Sequence, residues 1–421
     1  MPENTFEADG ERVLADLNAL RAIGAYKTGV HKPTFSEPHL RSLAWLTERL
    51  AEAGLTGSID GIGNVIGTSA RAGPKLLAGS HLESQNHAGW LDGPLGVVYA
   101  LEAARVINSD PSVHGAVEVA AWCDEEGHFG HFLGSRSYVG LVSEAEIDAA
   151  RDRTSGRTMR EALREAGLAG RARVTAEPGR HVGYLEAHIE QGEALESGGL
   201  AIGVVTSIVG IWQYRIDFTG EQNHAGTTRM AIRKDAGLAL ARFCVAIDDR
   251  FPRACGPRTV WTTGRITLDP GAPSIIPGRA EMLFQIRDDD PAVIDRLETL
   301  LRTMAAEASA AGPCGVAVER IRIGHPATMD PAFQDAIEAA GKSLADGRSI
   351  RMPSGAGHDA QVLATIMPAG MLFVPSIGGV SHHWTENTED ADIVRGARVF
   401  VEACRRLLRE RDGRPRAAPA P

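Results

Sequence analysis

No run of apolar residues in the sequence is long enough to span a bilayer, so no transmembrane helix is expected. Cysteine is scarce. The five residues (Cys123, Cys244, Cys255, Cys314, Cys404) are scattered, odd in number and never spaced C-x-x-C. That pattern excludes a disulfide framework and a zinc ribbon, and it fits a reducing, cytoplasmic compartment. Positive charge is in deficit: 44 Lys and Arg stand against 54 Asp and Glu, for a net charge of -10. Without a basic face, neither nucleic acid nor a membrane surface is expected as a partner. The N-terminal stretch MPENTFEADGERV is acidic and polar and has no apolar signal core. Internal repeats are missing too. The only low-complexity stretch is the tail, residues 405–421, which is expected to fray.

What is present is the makeup of a soluble globular chain, 43% hydrophobic and 23% charged. Its 421 residues exceed one ordinary core, so about two domains are expected. Val13, Leu14, Leu17, Leu20 and Ile23 form a helical stripe within residues 11–26. Ser36, Pro38 and Gly54 mark the cap, first turn and stop of a second helix. Residues 58–68 alternate around Gly-Asn and read as a strand pair. Buried strands are expected at 76–80, 116–122, 184–190 and 371–374, a helix at 92–108, and a charged, mostly helical segment at 144–168. From about Ile211 the pattern becomes β-α-β-β-α-β. Alternating strands fall at 212–218, 260–268, 279–287 and near 316–323, with helices at 235–248 and 291–311. The expected fold class is therefore α/β. One domain, with a mixed sheet flanked by helices, is split between residues 1–211 and 328–421, and a smaller α+β domain is inserted at 212–327.

Residues 79–96 read GSHLESQNHAGWLDGPLG, between a short apolar run and a segment that is apolar at helical spacing. Open α/β sheets bind ligands where a strand ends and a helix begins. His81 and Asp92 are therefore candidates for site chemistry. A loop of solvated histidines with Asp92 as a helix N-cap is the alternative that this stretch leaves open. Other apparent strand ends carry the same residue types: Glu125-Glu126, His188 with Glu190, and Ser381-His382-His383-Trp384-Thr385-Glu386. A lone histidine is more often structural, and an adjacent glutamate pair is usually a solvated face. Four such loops in one domain point instead to a metal centre. Mixed histidine and carboxylate donors suit zinc, manganese or similar ions. They can hold two ions about 3.5 Å apart with one acid bridging. On an extended strand Glu125 and Glu126 would point to opposite sides. One would ligate, and the other would act as general base on water whose pKa the ions lower.

The motifs Gly79-Ser80-His81-Leu82, Asp92-Gly93, Glu125-Glu126-Gly127 and His188-Ile189-Glu190-Gln191-Gly192 carry a resemblance, as do His224-Ala225-Gly226-Thr227-Thr228, Ile276-Pro277-Gly278, Ile286-Arg287, Gly357-His358-Asp359 and Ser381-His382. In order, and over nearly the whole chain, they resemble the hydantoinase/carbamoylase branch of the di-metal zinc exopeptidase superfamily. That branch includes N-carbamoyl-L-amino-acid hydrolases and allantoate amidohydrolases. The resemblance implies two divalent ions, zinc or manganese with cobalt or nickel as further options, bridged by Asp92. His81 and His188 would complete one site, and Glu126 and His382 the other. Glu125 would be the general base. Gln191 and Glu190 would border the substrate pocket, and His358 would help shape it. The inserted domain would serve as lid and dimerisation domain. It would bring His224 to polarise the scissile carbonyl across a homodimer interface, and Arg287 to pair with a substrate carboxylate. The choice of His382 over His383 rests on the resemblance alone.

The implied activity is hydrolysis of a linear amide or ureido C–N bond in a carboxylate-bearing small molecule, of the N-carbamoyl amino acid or ureido acid type. The alternative is an aminoacylase, dipeptidase or aryl-amine deaminase on the same site. The chain departs from the family at Glu83 (usually Asp), Ala88 and Leu91 (usually Gly and an aromatic), Ser274 (usually Asn) and Arg229 (usually Pro). The loop after Glu126 is also short. Glu83 is expected to orient a metal ligand. Ser274 stands where an asparagine helps hold the substrate, which implies an atypical substrate. His87 and Trp90 are the expected sites of substrate choice.

Overall fold

The structure is a computed structural model and describes residues 6–411. By its contacts the chain divides into two units. The first is Met1–Thr206, Thr328–Ser354 and His358–Pro421, and the second Ser207–Ala327 and Gly355–Gly357. The expected fraying of the tail lies, from residue 412 onward, outside the described residues. Up to Arg411 the chain is helical.

In chain order the strands of the first unit begin with β1 (Thr56–Ile59), β2 (Val65–Thr68), β3 (Lys75–His81), β4 (Ala116–Trp122), β5 (His181–Ile189) and β6 (Ile202–Ile208). Next come β7 (Gly210–Thr219), β8 (Val260–Asp269), β9 (Arg279–Asp288) and β10 (Gly315–Gly324) of the second unit. The chain then returns with β11 (Ser349–Ser354) and β12 (Ala369–Val374). The helices are α1 (Gly10–Ala22), α2 (Glu37–Glu52), α3 (Pro94–Ser109), α4 (Leu133–Tyr138), α5 (Glu144–Ala149) and α6 (Met159–Glu165). They continue with α7 (Ala194–Ser197), α8 (Ala236–Arg250), α9 (Pro291–Ala311), α10 (Pro331–Leu344), α11 (Asp359–Leu363) and α12 (Asp390–Arg411).

The large sheet has the order Ala327–Thr328, β6, β12, β5, β3, β4, β2, β1, with β11 paired to β6. Its centre, β12-β5-β3-β4, is parallel. Antiparallel pairs follow on both sides, so the mixed α/β architecture expected from the sequence is present. β3 and β4 are buried along nearly their whole length, as parallel strands covered on both faces must be. Helices α1, α3, α10 and α12 supply one cover. Leu17, Leu101, Ile337 and Phe400 share a buried apolar cluster with Leu76, Val117 and Leu372 of the sheet. Truncating one such leucine to alanine typically costs about 2–5 kcal/mol.

Local chemistry sets several boundaries. The stripe expected over 11–26 stops at Ala22, because Gly24 at φ +75° turns the chain into a short strand pair, Ala25–Tyr26 with Gly29–Val30. The helical segment expected at 144–168 splits into α5 and α6. Between them Asp152 Oδ1 accepts from the amides of Thr154 (3.0 Å) and Ser155 (2.6 Å), a local turn that competes with helix. Helix α3 starts at Pro94 with Gly93 as its cap and no side-chain capping bond. Asp92 is thus not an N-cap, and its carboxylate is left for other work.

In the second unit β8-β9-β7-β10 form an antiparallel sheet. Tyr214, Ile216 and Phe218 alternate with polar neighbours and share a core with Phe243 of α8 and Leu297 and Leu301 of α9. β8 is an edge strand, with Val260, Ile266 and Leu268 exposed. Among the described residues of the protein, no helix is long and apolar enough to cross a membrane.

Candidate metal centre

Because β3, β4, β5 and β12 are parallel, their carboxyl ends share one edge of the sheet. β3 ends on His81, β5 carries His188 next to its end, and β4 stops at Trp122 just before the glutamate pair. Asp92 lies between β3 and α3, both its oxygens used. His81 Nε2 (3.5 Å) and His188 Nε2 (3.1 Å) face its Oδ1, and His382 Nε2 (3.2 Å) faces its Oδ2. Glu126 Oε2 is 3.7 Å from His382 Nε2. Two donor groups result, His81-Asp92-His188 and Asp92-Glu126-His382, each with its ligand atoms within 4.8 Å of one another. Glu125 Oε2 stands 3.8 Å from His81 Nε2.

The arrangement passes a simple test for cations. His188 Nδ1 is 2.9 Å from the carbonyl of Ile189, and His81 Nδ1 is 3.1 Å from that of Glu83. A ring nitrogen donates to a carbonyl, so in the neutral rings each Nε2 is a bare acceptor. Each therefore faces another acceptor, Asp92 Oδ1, at hydrogen-bond range. Such a pair needs a positive charge between its members, a proton or a metal ion. The electrostatics agree. Burial works against charge on Asp92, yet bonds from His188, His382 and His81 hold its carboxyl well below the usual range. Burial also disfavours the charged form of His382, but Asp92 and Glu126 raise it to about 9. Histidine and carboxylate donors of this mix fit divalent transition ions.

Strained backbone surrounds the cluster. Asp124 (φ +62°), Gln191 (φ +59°) and His382 (φ +56°) are left-handed without being glycine, a conformation that costs about 1 kcal/mol or more per residue. The glutamates sit in a turn, not on an extended strand, so strand alternation is not what separates them. Asp124 builds that turn, taking the amides of His128 (2.8 Å), Phe129 (3.0 Å) and Gly130 (2.8 Å). Gly93 is required twice. Its φ is +85°, and a Cβ there would lie 2.5 Å from the His81 ring.

Other expected site residues are placed differently. Gln191 donates to Asp92 Oδ2 and to Ser381 Oγ, both at 3.0 Å, so it touches the bridging acid itself. The two oxygens of Glu190 accept from the amides of Ala194 and Leu195, both at 2.8 Å, at the start of α7. His358 is buried with its Nε2 2.8 Å from Ser354 Oγ, and its ring meets that of His188 edge-on at 4.6 Å. Glu83 does not orient His81 through its carboxylate, since its main-chain oxygen does so. Trp90 is buried, with its indole N–H on Asn387 Oδ1 (3.2 Å), and is a packing residue. His87 is exposed and stacks on His31 at 4.4 Å. His224, Ser274 and Arg287 belong to the second unit. There His224 Nδ1 accepts from the amides of Gly226 (3.0 Å) and Thr227 (3.1 Å), and Arg287 Nη1 donates to Gly355 O (2.9 Å).

Two supports had no role assigned from the sequence, Glu386, named there only within its strand-end stretch, and Gln85. Glu386 Oε1 accepts from the amides of Leu91 (3.2 Å) and Asp92 (3.1 Å), and its Oε2 accepts from Ser381 Oγ (3.0 Å). Gln85 donates through Nε2 to Glu126 Oε2 (2.6 Å) and through its amide to Oε1 (3.1 Å).

Comparison with known proteins gives the same picture. The profile of peptidase family M20/M25/M40 matches residues 74–406. An N-carbamoyl-L-amino-acid amidohydrolase of Paenarthrobacter aurescens is 34% identical over 96% of this chain and 99% of its own length. An allantoate amidohydrolase of Escherichia coli is 31% identical over 89% of this chain and 92% of its own length. The crystal structure of an amidase of the hydantoinase/carbamoylase family from Burkholderia phymatum has a TM-score of 0.85 at 44% identity, covering 97% of this chain and 100% of that one. The chain therefore belongs to peptidase family M20/M25/M40, as an amidohydrolase of the hydantoinase/carbamoylase branch.

Proposed function

We propose that the protein hydrolyses a linear amide or ureido C–N bond in a carboxylate-bearing small molecule, of the N-carbamoyl amino acid or ureido acid type. The observation that carries this reading is the pair of donor groups joined by Asp92, with Glu125 beside them. Asp92, His81 and His188 would hold one ion, and Asp92, Glu126 and His382 the other. Two divalent ions there, zinc or manganese or else cobalt or nickel, would lower the pKa of water toward neutrality and polarise a carbonyl. Glu125 takes the proton from the attacking water and returns it to the leaving nitrogen. Burial pushes its carboxyl well above the usual range.

The second unit supplies substrate contacts in this reading. With Nδ1 accepting two amides, the neutral His224 ring carries its proton on Nε2, the state needed to donate to a developing oxyanion. Arg287 offers a fork for the substrate carboxylate. The exposed Ser274 is shorter than the usual asparagine and leaves room for a larger group beside that carboxylate. Gln191 borders the reacting carbonyl from the Asp92 side. A carbamoyl substrate would release ammonia and carbon dioxide. The relatives' names, N-carbamoyl-L-amino-acid and allantoate amidohydrolase, favour this chemistry.

We place the protein in the cytoplasm, on its scattered unpaired cysteines, and read it as a homodimer, with the exposed edge β8 as the feature that supports the dimer. A monomer by sedimentation at micromolar concentration would contradict the dimer. The activity is tested with a panel of N-carbamoyl amino acids, ureido acids, N-acyl amino acids, dipeptides and aryl amines on manganese-loaded protein. Ammonia from the first two classes is expected. Turnover confined to acyl substrates, dipeptides or aryl amines would favour an aminoacylase, dipeptidase or deaminase instead.

A further inference from the structure

The turn that carries Glu125 has no strand to hold it, since β4 ends at Trp122 and Asp124 is left-handed. Asp124 closes the turn, the Glu125 carbonyl accepts from the Phe132 amide at 3.4 Å, and the Glu125 amide is held by the side chain of Glu83. Its Oε1 accepts from the Glu125 amide at 2.6 Å. Glu83 is fully buried, and so is His39. Glu83 Oε2 and His39 Nε2 have no hydrogen-bond partner, and they face each other at 3.6 Å. His39 Nδ1 accepts from the Phe35 amide at 3.0 Å, so the neutral ring carries its proton on Nε2, on the side of Glu83. An orphaned donor and an orphaned acceptor thus lie about half an ångström short of a hydrogen bond. His81 has no need of this carboxylate. Its Nδ1 meets the Glu83 main-chain oxygen at 3.1 Å, whereas the side-chain Oε1 is 3.9 Å away.

We propose that His39 and Glu83 form a buried positioning pair that fixes the main chain at Glu125 and so aims its carboxylate. The inference rests on the reading of Glu125 as the general base. His39 holds one oxygen of Glu83 so that the other stays on the Glu125 amide. Neither residue touches substrate or metal.

Glu83→Gln breaks the pattern in either orientation, because its NH2 must face either the Glu125 amide or the His39 Nε2 proton. In manganese-loaded protein we expect kcat to fall about 10-fold or more, with KM and manganese affinity changed by no more than about 2-fold. Amide exchange of the peptide spanning residues 123–129 should accelerate. Adding His39→Gln gives the new side-chain NH2 at position 83 a carbonyl to bond, so the double variant should recover part of the lost kcat. Glu83→Asp, which keeps the charge but shortens the reach, should show the same kcat loss with metal affinity kept. Unchanged kcat in both Glu83 variants would overturn the pair. So would a loss that excess manganese restores, unaltered exchange at 123–129, or single losses that simply add in the double variant. Full activity of a metal-loaded Glu125→Gln variant would instead overturn the reading of Glu125 as base.

Discussion

Asp92 holds a demanding position, because three histidine nitrogens converge on its two oxygens and, for His81 and His188, a positive charge is what reconciles acceptor with acceptor. Its neighbours are chosen by the space this leaves. Gly93→Ala would press a Cβ against the His81 ring at 2.5 Å in a backbone region that alanine resists. We expect the purified variant, assayed by elemental analysis after manganese loading, to lose an ion from the His81-Asp92-His188 group. Two tightly held ions per chain would contradict the close fit. The ligand-type residues were legible in the sequence, since histidines and acids at strand ends are unusual in combination. Glu386 and Gln85 were not. Their work is to accept or donate hydrogen bonds to partners as far as 294 and 41 residues away, and such bonds leave no spacing to read. Glu190, a motif residue, also binds the amides of Ala194 and Leu195, a local role that the motif did not announce.

Strand ends govern the next scale. The run 116–122 was readable as a strand, its end at Trp122 included, but the chain just past it was not. The sequence suggested extended chain through Glu126, whereas the Asp124 carboxylate closes a turn with three amides. β4 also carries Glu118, fully buried at 0% exposure, whose carboxylate accepts from Arg180 Nη2 (2.9 Å) and the Ser69 amide (2.9 Å) and lies 2.9 Å from His181 Nε2. Burial works to raise its pKa, but bonds to His181 and Arg180 win and bring it down to about 2. A pKa depressed in the folded state stabilises the fold above the unfolded value and is lost as pH falls through the folded one. Urea unfolding at pH 6 and pH 2 should therefore show a loss of stability assignable to this group. Glu118→Gln should remove that part of the acid sensitivity. An identical pH dependence in the variant would refute the assignment.

At the level of the whole molecule, the change from buried runs to alternating strands near Ile211 is visible in the sequence, while the contacts divide the chain after Thr206. The mixed α/β class was legible from periodicity. The strand order β12-β5-β3-β4 was not, because parallel neighbours are joined by long crossovers that carry no local pairing signal. If the second unit serves the substrate, Arg287→Ala should raise KM for carboxylate-bearing substrates about 10-fold or more, and far less for their amides. Equal effects on both would argue against carboxylate recognition. The most direct test of the whole reading compares wild type with Glu125→Gln, both loaded with two manganese ions per chain, for ammonia release from N-carbamoyl amino acids. Wild type should release ammonia, and the variant should keep its metal while losing at least about 100-fold in kcat. Ammonia release by the loaded variant at the wild-type rate, or none from the wild type with any carbamoyl or ureido substrate, would contradict it.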